Sequence, residues 1–263
     1  MTNLKDITRR DFLKISGASI AAGILNIRTP QILEDRRQDL NFQAFRHGRR
    51  DQAKIALSFD DCHLVTKLQD LEKLLRNHAK VKVTFFPTGE ALLNTERKDS
   101  GIWQRFIEAG HEIGSHTFDH VNPGIRSTQN LVADYSKWLS ALYQVTESKP
   151  TIRFARPPFG ALSPSYQEMC IEYGLVAAMW SANWGGEIAL AQKNIEEAEN
   201  GDIALLHTRL LEIEENTPFA LSILEERGIR AVTMSELYLS SVQERIGAGS
   251  CSSLTFADAS CPE

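Results

Sequence analysis

The chain has 263 residues, 42% of them hydrophobic and 24% charged, which suits a soluble globular protein with a large core and one domain rather than two. Its net charge is -5, and basic pairs such as Arg49-Arg50 are isolated. With no basic stripe to neutralise phosphates, the balance argues against a nucleic-acid partner.

Residues 1–30 stand apart. Thr8-Arg9-Arg10-Asp11-Phe12-Leu13-Lys14 precedes a mildly apolar, small-residue stretch from Ile15 to Ile27, a pattern that resembles a twin-arginine export signal. The stretch is too short and too rich in Ser and Gly for a membrane span, and no clean Ala-x-Ala cleavage site follows. The expectation is an exported protein, periplasmic, secreted or anchored through an uncleaved signal, with transient membrane contact through that segment. Residues 31–52 read as a linker or irregular lead-in, 53–246 as the folded domain, and 247–263 as a Ser-rich tail. Cys251 and Cys261 enclose part of that tail in a loop that a disulfide would close. Cys170 lies in a helical pattern as a packed thiol, and Cys62 directly follows an acid pair, either near a metal or as a buried bystander.

From residue 53 onward, short apolar runs alternate with amphipathic stretches. Strands are predicted over Lys54 to Phe59, Val81 to Phe86, His111 to Ser115, Ile152 to Arg156, Leu175 to Trp180, Ile203 to His207 and Ile229 to Val232. Helices are predicted over Leu64 to His78, Trp103 to Ala109, Ser127 to Thr146, Pro164 to Tyr173, Ile188 to Glu199, Pro218 to Arg227 and Met234 to Ile246. Gly110, Gly174, Gly201 and Gly228 each separate a helix pattern from the next strand, where a left-handed helix terminus favours Gly. This βα rhythm is that of a parallel sheet or barrel.

The residues capable of chemistry fall at the carboxyl ends of the predicted strands. Asp60 and Asp61 follow the first strand, His116 and His120 the third, Arg156 the fourth, and His207 ends the sixth. In a βα barrel that end holds the active site, because loops from distant strands converge there. Singly, each piece has a plainer reading: a solvated acid pair or helix cap, a surface His-x-x-x-His, a turn at Arg-Pro-Pro, a hydrogen-bonded core His. Together they suggest more. Two imidazoles four residues apart share one face of a helical turn and, with Asp61, make a three-ligand site that leaves a coordination position open. Asp60 then remains as a general base, Arg156 as its hydrogen-bonding partner, and His207 as a proton donor.

Four ordered motifs, Ser58-Phe59-Asp60-Asp61, His116-Thr117-Phe118-Asp119-His120, Arg156-Pro157-Pro158-Phe159-Gly160 and Leu205-Leu206-His207-Thr208, resemble those of the polysaccharide deacetylases of carbohydrate esterase family four. The resemblance covers about residues 53 to 232. It implies a distorted (β/α)7 barrel and one divalent metal, usually zinc, held by Asp61, His116 and His120. It further implies Asp60 as the base toward a water on that metal, Arg156 as the residue orienting Asp60, and His207 as the acid that protonates the departing amine. The backbone N–H of Phe159 would serve the oxyanion, a contribution of about 3 to 4 kcal/mol. Trp184 would line the acetyl methyl or sit in the core.

Two departures from the family pattern stand out. Cys62 replaces the Gly that usually follows the acid pair. The family's Trp-Ser-x-Asp-x-x-Asp-Trp stretch, which supplies acids to the motif Arg and His, reads here Trp180-Ser181-Ala182-Asn183-Trp184-Gly185-Gly186-Glu187. Asn183 and Gly186 stand at the acid positions, with Glu187 one residue late as the expected substitute. The resemblance thus implies a metal-dependent hydrolase that removes N-acetyl groups from an amino-sugar polymer or oligosaccharide, its partner being an acetylated glycan. The alternatives are a hydrolase of another non-peptide C–N bond and a catalytically impaired glycan-binding protein. Specificity is assigned to loops Asn94 to Gly101, Val121 to Ser127 and Arg209 to Thr217. The same ligand set also accepts cobalt, nickel, iron and manganese.

Overall fold

Ile55 to Asp60 form an unbroken run of buried residues inside strand β1 (Lys54–Asp61), the pattern of a strand covered on both faces. The computed structural model describes residues 44–247. The export-like segment and the Cys251–Cys261 pair lie outside the described residues. No helix among those described is long and apolar enough to cross a membrane.

On one edge β1 pairs with β7 (Ile203–His207), Ala56 facing Ile203 and Asp60 facing His207. On the other edge its first half pairs with β8 (Arg230–Val232) and its second half with β2 (Thr84–Pro87). β3 (Glu112–Ile113) continues beyond β2, and β6 (Ala182–Asn183) beyond β7. β4 (Phe154–Ala155) and β5 (Val176–Ala177) form a second pair, joined to the β3 side by a parallel bridge between Ser115 and Ala155. All of these strand pairs are parallel, as a chain of βα units requires. Among the described residues no ladder joins β5 to β6; on that side Phe45 bridges Ala178 and His47 bridges Asp202. The fold is the parallel α/β arrangement of strands and helices that the sequence predicts, as two hydrogen-bonded sheets among the described residues.

The helices are α1 (Val65–Asn77), α2 (Gly89–Lys98), α3 (Ile102–Glu108), α4 (Thr128–Val145), α5 (Pro164–Tyr173), α6 (Ile188–Glu196), α7 (Thr217–Glu226) and α8 (Met234–Gly247). Gly110, Gly174, Gly201 and Gly228 all have positive φ, as their place after helices predicts.

Three sequence expectations need correction. Helix α2 is not among the predicted helices: it is short, buries Gly89, Ala91, Leu92 and Thr95, and starts at a Thr88 cap, whose hydroxyl accepts from Ala91 N at 3.1 Å. Residues 94–98 of the expected specificity loop therefore belong to a helix. Strand β6 is two residues long and was also missed, since so short a run carries no period. The expected loop from Arg209 to Thr217 contains a π-helical turn, Glu212–Asn216.

Candidate active site

Along a strand, successive side chains diverge, so Asp60 and Asp61 would point to opposite faces if β1 continued regularly. The backbone instead turns left-handed, with φ of 66° at Asp61 and 62° at Cys62. Both carboxylates consequently face one imidazole: His116 Nε2 is 3.8 Å from Asp60 Oδ2 and 3.6 Å from Asp61 Oδ1. Non-glycine residues in this region cost about 1 to 3 kcal/mol each and persist where surrounding structure holds them. Cys62 is fully buried, its thiol donates to Phe59 O at 3.4 Å, and burial followed by the two Asp charges pushes its pKa well up. It stands outside the ligating cluster.

His116 and His120 do not share a helical turn, contrary to the expectation from their spacing. They lie in a loop in which Thr117 and His120 have φ of 64° and 58°. The start of α2 holds this loop, because its unpaired N–H groups need acceptors: Gly89 N donates to Thr117 O at 3.0 Å and Glu90 N to Phe118 O at 3.1 Å. Asp134 accepts from Phe118 N at 2.8 Å, and Arg126 ties Asp119 and Asp134 together at 2.6 and 3.1 Å. The two imidazole centroids are 5.0 Å apart.

The protonation of this cluster follows from its partners. His116 Nδ1 lies 2.9 Å from the carbonyl of Arg156, which can only accept, so the proton sits on Nδ1 and Nε2 carries a lone pair. Burial holds the His116 pKa down against the pull of Asp60 and Asp61. Burial also opposes ionisation of Asp61, but the neighbouring imidazoles of His120, His116 and His207 outweigh it and keep the carboxyl well below the usual range. Asp61 Oδ1 is 3.1 Å from His120 Nε2, yet it is buried without a hydrogen-bond partner. A buried ionised oxygen of this kind calls for a cation. One carboxylate oxygen and two imidazole nitrogens, all within 4.8 Å of one another, fit one divalent metal.

Arg156 is fully buried, and each of its side-chain nitrogens donates a hydrogen bond. Nη1 donates to Asp60 Oδ1 at 2.7 Å and Ser58 Oγ at 2.8 Å, Nε to Ala178 O at 3.2 Å, and Nη2 to Met179 O at 3.1 Å. The acid expected near Asn183 is therefore not needed by Arg156. Asn183 is exposed, and its Oδ1 accepts from Gly185 N at 3.0 Å.

His207 does have a carboxylate partner, but not the expected Glu187, which is exposed at the start of α6. The partner is Glu212, 1% exposed, whose Oε2 accepts the His207 backbone N–H and lies 3.4 Å from Nδ1. Burial opposes protonation of His207, yet Glu212 outweighs it, with help from Asp60, and raises the pKa.

The cleft, about 260 Å³ in volume, is lined by Asp60, Asp61, His116, His120, His207 and Arg209 on its polar side and by Pro157, Phe159, Gly160, Trp180 and Leu205 on its apolar side. Of the two places open to Trp184, the acetyl wall and the core, it takes the core, fully buried and outside the cleft lining; Trp180 lines the cleft instead. Phe159 is 68% exposed on a left-handed turn, its ring edge-on to His120 at 4.7 Å. Glu212, Trp180 and Arg209 were not singled out from the sequence. Of these, Trp180 sat in a recognised motif, while Glu212 was one of three acids in a stretch read as loop.

A parallel α/β fold that gathers a carboxylate and two imidazoles at the carboxyl ends of its strands, with a second carboxylate alongside, is a protein built around a candidate mononuclear metal centre. The chain belongs to the polysaccharide deacetylase family, whose model matches residues 47–178. A peptidoglycan-N-acetylglucosamine deacetylase of Listeria monocytogenes is 31% identical over 190 residues, which are 70% of this chain and 39% of the relative. This chain thus spans well under half the length of that relative. A peptidoglycan-N-acetylglucosamine deacetylase of Bacillus cereus is 29% identical over 201 residues, 70% of this chain and 87% of the relative. Among solved structures, a CE4 family pseudoenzyme from Bacillus anthracis aligns with a TM-score of 0.66 at 19% identity, covering 76% of this chain and 70% of that one, a likeness of fold.

Proposed function

We propose that the chain is a metal-dependent hydrolase that removes N-acetyl groups from an amino-sugar polymer or oligosaccharide. The observation that carries this reading is the convergence of Asp61, His116 and His120 within 4.8 Å, beside an Asp60 whose Oδ1 is held by Arg156 at 2.7 Å. Family membership and the names of the relatives support the substrate class.

Asp61 Oδ1 and His116 Nε2, with the His120 imidazole, would hold the metal, and zinc suits one carboxylate and two imidazoles. When bound, such a metal polarises a carbonyl and makes water a nucleophile near neutral pH. Asp60 keeps Oδ2 free and accepts the proton of the attacking water. Arg156 fixes the direction of that carboxylate. The Phe159 backbone N–H donates to the developing oxyanion, and the Phe159 and Trp180 rings shield the acetyl group from water. His207, protonated beside Glu212, donates to the departing amine so that it leaves neutral.

Residues 53–246 are read as the catalytic domain, and the pattern at Arg9-Arg10 with the cell-wall relatives supports export. Acetate release from peptidoglycan, chitooligosaccharides and poly-N-acetylglucosamine, with metal quantified on wild type and Asp60→Asn, tests the reading. Loss of release with metal retained in Asp60→Asn supports it. A metal-loaded wild type that frees no acetate from any of them sinks it and turns the search to other amides or to glycan binding. The case for an impaired glycan-binding protein rested on the missing acid in the Asn183–Glu187 stretch, and Glu212 beside His207 weakens that case.

A further inference from the structure

We propose that Glu212 is a positioning residue for His207, fixing the imidazole in its Nδ1–H tautomer so that Nε2 faces the cleft. The inference rests on the reading of His207 as the proton donor of the proposed hydrolysis.

The acid comes from a place that local pattern does not announce. Glu212 lies five residues after His207 and opens the π-helical turn Glu212–Asn216. Single π-turns often occur at functional sites because they re-aim side chains that a regular helix would send elsewhere. This turn is pinned at both ends: Thr217 Oγ1 donates to Glu212 O at 2.5 Å, and Asn216 Nδ2 donates to Trp184 O at 3.0 Å. Lys67 of α1 reaches Glu214 at 2.5 Å.

The carboxylate so placed is sealed. At 1% exposure it has almost no water, and a buried carboxylate without partners is costly. The groups facing it are the backbone N–H of His207, from which it accepts, and the ring Nδ1 of the same residue, 3.4 Å away, short of hydrogen-bond geometry and with no other partner. Room for it is made in the altered stretch: a Cβ at Gly185 would come within 3.0 Å of Oε2, 3.2 Å of Cδ and 3.3 Å of Oε1. Glu212 thus occupies volume beside Gly185, between the two positions at which the family pattern would place acids. The other charged groups acting on His207 are Asp60 and Asp61, which favour its protonation, and Arg209, which opposes it. With Nδ1 turned to Glu212, the opposite edge of a ring that lines the cleft is the one left for substrate.

Histidine-ring NMR on the zinc-loaded full chain reads the tautomer and titration midpoint of His207 without substrate, so it is independent of acetate release. Glu212→Gln still accepts the His207 backbone N–H through its amide oxygen, so a merely structural brace survives the change. The expected result is Nδ1–H in the wild type, a lower midpoint in Glu212→Gln, and a kcat for acetate release reduced about 10- to 100-fold with KM within about twofold. Glu212→Asp, which draws the charge back by one methylene, also lowers the midpoint while recovering part of the lost kcat. An unchanged tautomer and midpoint in Glu212→Gln overturns the assignment. Should the Gln variant not fold, an unchanged midpoint in Glu212→Asp overturns it equally. A wild type that releases no acetate counts against the proposed function, and the ring measurement still decides the role of Glu212.

Discussion

Arg156 Nη1 meets Asp60 Oδ1 at 2.7 Å, with the two side chains 0% and 5% exposed. Removing one member of a buried pair strands the other charge, which costs about 3 to 5 kcal/mol. Arg156→Met is expected to lower unfolding free energy by about that amount in urea titrations. Arg156→Lys, which lacks the fork that also reaches Ala178 O and Met179 O, is expected to reduce acetate release by about 10- to 100-fold.

His116 is the most enclosed of the three candidate ligands, so its loss cannot be replaced by water at little cost. His116→Ala is expected to abolish stoichiometric metal binding in plasma emission analysis. Chelation of the wild type should lower Tm, since a ligand at 100 times its Kd stabilises the folded state by about 2.7 kcal/mol, roughly 5 to 10 °C for a domain of this size. No change of Tm on chelation in His116→Ala would agree with the same assignment.

The ligand loop depends on a glycine that is remote from the metal chemistry. A Cβ at Gly89 would lie 2.2 Å from the Phe118 ring, between the two histidines in sequence. Gly89→Ala is expected to shift that loop and weaken zinc affinity about tenfold or more while leaving the circular dichroism spectrum intact. Competition titration with a chromogenic chelator measures it.

Two histidines give opposite pH dependences of stability. His111 packs against Phe85 and Phe106, and its Nδ1 accepts from Val83 N at 3.3 Å. Burial, reinforced by Lys82, lowers its pKa to about 4. Its folded value lies below the unfolded one, so its contribution is complete above about pH 6.5 and is lost as pH falls towards 4, by at most about 3 kcal/mol. His207, raised by Glu212 against burial, contributes fully below about pH 6.5 and loses that contribution as pH rises through its folded value. Urea titrations at pH 4.5 to 6.5 should show a shallower decline in His111→Phe than in the wild type.

Cys62 follows Asp61 with φ of 62° and is fully buried. Glycine removes the backbone strain but also the packed thiol, so Cys62→Gly should stay within about 1 kcal/mol of wild type. Cys62→Val, β-branched at positive φ, should lose about 2 kcal/mol or more. Thiol titration with an aromatic disulfide should find Cys62 unreactive until the protein is denatured.

Much of the site is readable in the chain because its signals are local. A continuous apolar run ending in two acids marks β1 and its carboxyl end, and β7 ends at His207 as its apolar run predicts. Helix α2 is illegible for the converse reason: it is only 10 residues long, so Ala91, Leu92 and Thr95, which it buries, are too few to establish a period.

The sequence by itself determined which residue types meet at the strand ends: acids after β1, histidines after β3, an arginine after β4 and a histidine at the end of β7. Strand period and chain order suffice for that, since parallel strands bring the same ends together. Only the tertiary structure decided how those residues face one another. The left-handed turn at Asp61 sends two neighbouring carboxylates to one imidazole, and the turn after β7 selects Glu212 over Glu187. It likewise placed Trp180 in the cleft and Trp184 in the core. These choices depend on a few backbone angles and on which side chain finds enclosed space, and both are set by packing between segments far apart in the chain.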